Sequence, residues 1–336
     1  MTALACSLCE RRDGYTFAYK VLGRHQQATP LVLVHGLSAV GLVDWEPLAS
    51  ALAKTRPVLI FDNRGIGSSK IPKERETEKY GVKEMAADVI ALVKHVGWRE
   101  INLLGFSMGG MIAQQVLVTP HLPFQIRHLV LAATSAKPAH SDLLQAIPQP
   151  GPGPMSYEDR IKLVTPFIHV GYDPAFIKDP KNKELIDRRI RESVDAKRPS
   201  RTVREWPVYW THSDLLTLPS LCPTENQLGV FILKSAALAQ IAGYDVRKLL
   251  PAVPSTLPVL ILHGTADRSV YYSEAKYIQR GLKHAQLVSF DGIGHTWYDY
   301  YTLEYWTTLL TRFLDDAGDV SALPPPPARS AYKASL

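Results

Sequence analysis

The chain has 336 residues, of which 46% are apolar, and its formal net charge is +6. Chains of this size and apolar content bury a sizeable core, and α/β folds of this length commonly form one domain plus an insertion. The charge is modest and forms no basic stripe with interleaved aromatic residues, which argues against a nucleic-acid-binding protein. No run of about 18 apolar residues occurs, which argues against a membrane-spanning helix.

The N-terminal segment, residues 1–14, carries charges and two cysteines but no apolar stretch typical of a signal peptide. We therefore expect a cytoplasmic protein. Cys6 and Cys9 form a CxxC pattern, but Cys222 is the one further cysteine of the chain. Free thiols in a reducing compartment are the simpler interpretation, and no metal site is expected. The final residues, Ala-Ser-Leu, match a peroxisomal signal poorly.

The first part of the chain alternates short apolar runs with helical patterns. After an extended segment over Tyr15–Leu22, the apolar runs Leu31–Val34 and Val58–Phe61 predict buried strands. Glu84–Val96 has apolar residues at helical spacing, and Gly97 is a suitable end for that helix. Such alternation predicts a mostly parallel central sheet covered by helices.

The segment Gly105-Phe106-Ser107-Met108-Gly109 follows the apolar run Ile101–Leu104 and precedes a helical pattern. In a G-x-S-x-G turn between strand and helix, the serine adopts a strained backbone conformation that the small neighbouring residues permit. Its hydroxyl is then exposed above the edge of the sheet. Ser107 is therefore the candidate nucleophile, while the alternative is a glycine-rich turn with an ordinary serine.

A serine nucleophile needs a base to take its proton and a carboxylate to orient that base, in the chain order serine, acid, histidine. The apolar run Val259–Leu262 predicts a strand, and the sequence His-Gly-Thr-Ala-Asp places Asp267 in the loop after it. A helical pattern over 273–281 and a strand over 285–290 follow. His295 then lies in a glycine-flanked turn. We take Ser107, Asp267 and His295 as the candidate triad.

These motifs together resemble the α/β-hydrolase fold superfamily, in the branch with a single inserted cap, and the match runs over most of the chain. The segment Asp62–Ser69 is similar to the DxRGxGxS turn of that family. In relatives this turn is structural, since its glycines allow positive φ and its arginine can pair with nearby carbonyls or carboxylates. The resemblance implies an α/β fold with an inserted, mainly helical cap and no cofactor.

The resemblance also implies where the insertion lies. Regular alternation stops after Ser135 and resumes at Pro258, and a hinge rich in proline and glycine spans Pro148–Pro154. We expect a first core part over residues 1–137, a cap over 138–250, a second core part over 251–318, and a mobile proline-rich tail over 319–336. The stretch from Lys178 to Arg204 contains ten Lys or Arg and five Asp or Glu, a local excess of positive charge. This stretch is either a solvated helical face or an entrance that steers anionic acyl substrates.

In this fold, two backbone amides stabilise the oxyanion that forms on the substrate. Met108 follows the nucleophile and supplies the first amide, and Leu37, in the His-Gly-Leu-Ser turn after an early strand, supplies the second. The Met108 side chain itself is either pocket lining or core. His35 and His263 lie in His-Gly turns and are expected to have structural or pocket-shaping roles. The residues expected to line the substrate pocket are His35, Trp206, Tyr209, Trp210 and Trp297.

Serine at position 107 indicates acyl transfer, and the His-Gly-Leu-Ser loop argues against enzymes that resemble hormone-sensitive lipase. The resemblance is closest to small esterases, enol-lactone hydrolases, cofactor-free haloperoxidase-like esterases and carbon–carbon hydrolases. We expect a serine hydrolase whose partner is a small, largely apolar ester or lactone. The alternatives are a thioesterase or carbon–carbon hydrolase on the same triad, a lyase or cyclase, and a binding module with a dormant site. The motifs leave the substrate and the oligomeric state open.

Overall fold

The computed structural model describes residues 6–37, 39–75, 78, 80–138, 141–146, 156–195 and 243–315. These residues form one sheet, whose strands are β1 Ser7–Glu10, β2 Thr16–Leu22, β3 Leu31–Val34, β4 Val58–Phe61, β5 Glu100–Phe106, β6 Gln125–Ala132, β7 Val259–Gly264 and β8 Gln286–Phe290. The helices are α1 Gly41–Asp44, α2 Leu48–Leu52, α3 Val82–Val96, α4 Met108–Leu117, α5 Leu143–Ala146, α6 Tyr157–Val170, α7 Pro174–Lys178, α8 Lys183–Asp195, α9 Ser273–Gly281 and α10 Leu303–Asp315.

The strand order across the sheet is β1-β2-β4-β3-β5-β6-β7-β8. Strand β2 is antiparallel to β1 and β4, and every pair from β4 through β8 is parallel. The predicted mostly parallel α/β sheet is confirmed. The edge strand β1 was not predicted, because only Cys9 of its four residues is buried and the segment lacks an apolar run.

Alternation along the strands separates two hydrophobic cores, one on each face of the sheet. On β3, Val32 and Val34 face a core completed by α3, α4 and α9. Leu31 and Leu33 face the opposite core, which α1, α2 and α10 complete. Because each parallel strand is covered on both faces, its sequence is a continuous apolar run and does not alternate between apolar and polar residues.

The order of the parallel strands brings distant parts of the sequence to one edge of the sheet. Strand β6 pairs with β5 on one side and β7 on the other, and β8 follows β7. The carboxyl ends of parallel strands meet at the same edge, so the loops after β5, β7 and β8 lie close together. These are the loops that carry Ser107, Asp267 and His295.

Four described helices, α5 to α8, lie between β6 and β7, in the interval predicted for a cap. Local sequence explains two of their starts: Ser156 accepts a hydrogen bond from the Asp159 amide at 3.1 Å, and Asp173 accepts from the Ala175 amide at 3.0 Å. Both are N-cap contacts of the expected kind. The predicted hinge over 148–154, the aromatic cluster Trp206, Tyr209 and Trp210, and the tail over 319–336 lie outside the described residues. In the part of the chain that is described, no helix is long and apolar enough to cross a bilayer.

Candidate active site

Ser107 has a backbone conformation that non-glycine residues rarely adopt. Its φ is 56° and its ψ is −125°, between the end of β5 and the first residue of α4. Two contacts hold the turn: the Ser107 amide donates to the Ala132 carbonyl at 2.9 Å, and the Thr134 hydroxyl donates to the Ser107 carbonyl at 2.7 Å. Such strain persists where the surrounding structure enforces it, and it is frequent at functional sites.

Gly105 and Gly109, two residues before and two residues after Ser107, lie so close to other backbone atoms that a larger residue would not fit. A Cβ on Gly105 would lie 2.3 Å from the Gly109 carbonyl oxygen, and one on Gly109 would lie 2.0 Å from the Val34 carbonyl oxygen. Both distances are far below van der Waals contact, and backbone oxygens move little. The G-x-S-x-G spacing therefore reflects the packing of α4 against the ends of β3 and β5.

Hydrogen bonds connect Ser107, His295 and Asp267 in one chain. The Ser107 Oγ is 3.0 Å from His295 Nε2, and His295 Nδ1 is 2.8 Å from Asp267 Oδ2. In the tautomer that satisfies both contacts, Nδ1–H donates to the carboxylate and Nε2 accepts from the serine hydroxyl. The three side chains predicted from the sequence are thus brought together, in the geometry that proton transfer from serine to histidine requires.

Asp267 is buried, and both oxygens of its carboxylate have hydrogen-bond partners. The Ser269 and Val270 amides both donate to its Oδ1 at 2.8 Å. Burial acts to raise the pKa of the carboxyl, but the charge of His295 and the hydrogen bonds from His263 and His295 outweigh it. The pKa of Asp267 is therefore held below its usual range, and the carboxylate remains charged beside His295.

His263 is the second histidine in contact with Asp267. Its Nε2 lies 2.9 Å from the Val270 carbonyl oxygen and 3.2 Å from Asp267 Oδ2. Both neighbours are acceptors, so the ring carries its proton on Nε2. The sequence indicated a structural or pocket-shaping role for this residue and not its contact with the carboxylate. The spacing of four residues in His-Gly-Thr-Ala-Asp is the signal that could have suggested it.

An aromatic cluster lies beside the nucleophile. The Phe106 ring packs against His35 at 5.5 Å between ring centres, against His295 at 5.0 Å and against Tyr298 at 5.7 Å. His35 is also 4.8 Å from Trp45. Burial, together with the positive charge of Arg189 and the neighbouring His295, lowers the pKa of His35 from 6.5 to about 3. His35 is therefore uncharged at neutral pH, and Phe106, which was not predicted as part of the site, connects the histidines to the elbow.

Among the predicted pocket residues, His35 lies in this cluster. Trp297 is 1% exposed, and its ring packs on Trp306 at 4.5 Å and on Phe106 at 6.5 Å between ring centres. Its environment is that of a core residue behind the site, and its role in a pocket stays a prediction. Trp206, Tyr209 and Trp210 lie outside the described residues.

The two amides predicted to stabilise an oxyanion lie next to the elbow. Met108 is the first residue of α4, where a helix leaves its amide without an intrahelical acceptor. Its side chain is 4% exposed and belongs to the core. Gly36, the residue before Leu37, lies so close that a Cβ there would be 3.0 Å from the Ser107 Cβ.

Among the described residues, no group of three or more His, Cys, Asp or Glu side chains is placed to hold a metal ion.

Residues 29–300 match the model of the alpha/beta hydrolase fold family, and the chain belongs to that family. It is 26% identical over 313 residues to a proline iminopeptidase of Lactobacillus crispatus (strain ST1), covering 90% of this chain and 95% of the relative. The family match and the similarity to this peptidase together support hydrolase function.

Solved structures share the fold. An esterase from Exiguobacterium antarcticum superposes with a TM-score of 0.64 at 21% identity, covering 92% of this chain and 98% of the esterase. The enol-lactonase from Burkholderia xenovorans LB400 gives a TM-score of 0.61 at 20% identity, covering 89% and 96% of the two chains. At these identities the likeness shows the fold alone.

Proposed function

We propose that the protein is a serine hydrolase that cleaves a small, largely apolar carboxylic ester or lactone through an acyl-enzyme. The observation that carries this proposal is the hydrogen-bonded chain from Ser107 through His295 to Asp267, with distances of 3.0 and 2.8 Å. The strained backbone of Ser107 supports the same role.

In the proposed mechanism, His295 Nε2 takes the proton of Ser107 as its oxygen attacks the substrate carbonyl. The Leu37 and Met108 amides donate to the oxyanion, and Asp267 holds the imidazole and stabilises its cation. Collapse of the intermediate expels the alcohol, which receives the proton from His295. Water, activated by the same histidine, then hydrolyses the acyl-enzyme and releases the acid. Each step uses groups of this chain and needs no cofactor.

A second candidate is an aminopeptidase that removes an N-terminal proline. The likeness to a proline iminopeptidase over 90% of this chain favours it, and a serine triad can cleave amides as well as esters. Ser107, Asp267 and His295 would serve this reaction as they serve ester or lactone hydrolysis, and the assay below distinguishes the two. Thioester or carbon–carbon hydrolysis, lyase or cyclase chemistry on the same residues, and a binding module with a dormant site rank below both. Residues 138–250 are the proposed cap, where selection of the substrate would take place.

The first test compares the wild-type protein with Ser107→Ala on p-nitrophenyl esters from acetate to decanoate and on proline p-nitroanilide. Mass spectrometry with a fluorophosphonate probe reports acylation at Ser107. We expect multiple turnovers on short esters, labelling of Ser107, and loss of both in the variant. Preference for proline p-nitroanilide would favour the aminopeptidase. Wild-type turnover by Ser107→Ala would refute the proposed mechanism, because loss of a nucleophile reduces kcat by several orders of magnitude.

A further inference from the structure

An ion pair with a buried carboxylate and a partly buried guanidinium joins the cap interval to the loop that carries His295. We call residues 291–302, between β8 and α10, the histidine loop. Arg189 on α8 donates to Asp299 of this loop through Nε, at 3.1 Å to Oδ2, and through Nη2, at 2.7 Å to Oδ1. The Tyr172 hydroxyl donates to the same Oδ2 at 2.6 Å. Asp299 is 4% exposed, so two residues from the cap interval donate hydrogen bonds to both oxygens of a buried carboxylate.

The two side chains from the cap interval both keep their protons as hydrogen-bond donors. Burial works against the charge of Arg189, but the Asp299 carboxylate outweighs it and raises the pKa of the guanidinium. Burial likewise raises the pKa of the Tyr172 hydroxyl, with a further contribution from the charge of Asp299, so this hydroxyl remains a donor. A bidentate arginine–carboxylate contact fixes direction as well as distance.

Three more hydrogen bonds join the same two segments on either side of Asp299. The Thr296 amide, next to His295, donates to the Gly171 carbonyl at 2.9 Å. The Tyr300 hydroxyl accepts from the Asp173 amide at 2.9 Å and donates to the Asp173 carboxylate at 3.0 Å. The histidine loop is therefore bound to the segment after α6 at positions 296, 299 and 300.

Arg189 also reaches the elbow by a second route. Its guanidinium lies 5.6 Å from the centre of the Tyr298 ring, within the range of a cation–π contact. That ring packs edge-on against Phe106 at 5.7 Å. The side chain of Arg189 thus contacts groups that support both the base and the nucleophile.

We propose that Arg189 and Tyr172 are positioning residues of the reaction, which act through Asp299 to hold His295 within hydrogen-bond distance of Ser107. This inference rests on the proposed function, because it concerns the same base and nucleophile. An ion pair removed from solvent on its carboxylate side adds little net stability compared with a well-packed apolar pair, but it can select a single arrangement of the segments that it joins. Here the selected arrangement includes the His295 Nε2 to Ser107 Oγ distance of 3.0 Å. In this proposal, the cap interval positions the catalytic base.

The test uses Arg189→Met, which keeps the aliphatic part of the side chain, and Tyr172→Phe, which removes only the hydroxyl. Arg191→Met is the matched control, because Arg191 lies on the same helix with its side chain exposed. Assays with p-nitrophenyl acetate give kcat and KM, and fluorophosphonate labelling gives the acylation rate. The downfield proton resonance of the His295 Nδ1–H reports its contact with Asp267.

In Arg189→Met, we expect kcat and the labelling rate to fall about 10- to 100-fold with little change in KM, because misplacement by about 1 Å can reduce a rate by that much. The downfield resonance should broaden or shift. Tyr172→Phe should show a smaller loss of about 3- to 10-fold, since one hydrogen bond to a charged group is removed. Arg189→Lys should recover part of kcat, and Arg191→Met should match the wild type.

A folded Arg189→Met protein with wild-type kcat, labelling rate and resonance would overturn the proposal, as would an equal loss in Arg191→Met or a loss confined to KM. Circular dichroism establishes folding. If Arg189→Met does not fold, Tyr172→Phe decides: wild-type kcat in that variant overturns the proposal. Ser107→Ala is assayed in parallel. Turnover by Ser107→Ala refutes the proposed function, whereas an inactive Ser107→Ala beside a fully active Arg189→Met refutes only the positioning role.

Discussion

His263 Nε2 lies 3.2 Å from Asp267 Oδ2, the carboxylate oxygen that also accepts the hydrogen bond from His295 at 2.8 Å. Two histidines therefore approach one oxygen of a buried carboxylate. The contact from His295 belongs to the proposed proton transfer. The contact from His263 gives the carboxylate a second partner and lowers its pKa together with His295.

Replacing His263 should test whether this second contact matters for catalysis. His263→Phe keeps a ring in the buried site but removes the donor, and we expect kcat/KM to fall about 10- to 150-fold, since a hydrogen bond to a charged group contributes about 1.5–3 kcal/mol. His263→Gln keeps an N–H near the position of Nε2 and should lose much less. Steady-state kinetics on the best p-nitrophenyl ester measures both. Equal activity of the two variants would show that the donor has no catalytic effect.

His35 predicts a specific dependence of stability on pH. Its pKa is lowered from 6.5 in the unfolded chain to about 3 in the folded protein. The folded state thus favours the uncharged ring, and the contribution of His35 to stability is complete above pH 6.5. This contribution decreases as the pH falls toward about 3, because only the unfolded chain binds a proton in that interval.

The comparison with His35→Asn, which does not titrate there, isolates this contribution. Urea unfolding of both proteins at pH 7.5, 6, 5 and 4 should show the wild type losing about 1.4 kcal/mol per pH unit relative to the variant below pH 6.5. A constant difference between the two proteins over this range would show that His35 titrates equally in the folded and unfolded states.

Gly36 and Gly109 should respond differently to alanine. A Cβ at position 109 would lie 2.0 Å from the Val34 carbonyl oxygen, so Gly109→Ala should reduce the free energy of unfolding by about 1–3 kcal/mol or more. A Cβ at position 36 would lie 3.0 Å from the Ser107 Cβ and 3.4 Å from its Oγ. Gly36→Ala should therefore fold but lose kcat/KM, by about 10-fold or more, because the methyl group crowds the reacting oxygen. Thermal unfolding and ester kinetics on both variants distinguish the two effects; a destabilised but fully active Gly36→Ala would contradict this assignment.

Arg64 should matter for stability and not for turnover. It donates to Asp88 through Nε and Nη2, both at 2.6 Å, and both residues are buried. Arg64→Met leaves Asp88 with a charge that Arg11 neutralises only in part, and we expect a loss of about 3–5 kcal/mol in the free energy of unfolding. The matched control is Arg75→Met, which breaks a surface pair with Glu78 at 3.2 Å and should change stability by less than about 1 kcal/mol. A normal unfolding free energy together with reduced kcat in Arg64→Met would contradict a structural role.

Much of this molecule could be predicted from local sequence. Apolar runs such as Leu31–Val34 and Val58–Phe61 became strands with the predicted limits, because buried parallel strands leave a continuous apolar signal. The end of α3 at Gly97 was also predictable, because the residue at that position has a φ of 84°, which favours glycine. The turn after β4 needs positive φ at Gly65 and Gly67 for the same reason. The order of the serine, aspartate and histidine loops followed from the motifs of the resemblance.

The tertiary structure alone decided which distant polar groups meet. Arg189 and Asp299 are 110 residues apart in sequence, and Tyr172 and Asp299 are 127 apart. Periodicity and turn chemistry reflect interactions between neighbours in the chain, so they determine strands, helix ends and strained glycines. The partner of a long side chain depends instead on which loops the strand order places side by side. By itself, therefore, the sequence determined the buried parallel strands and the three candidate catalytic residues, whereas only the folded chain determined the edge strand β1 and which distant side chains contact Asp267 and Asp299.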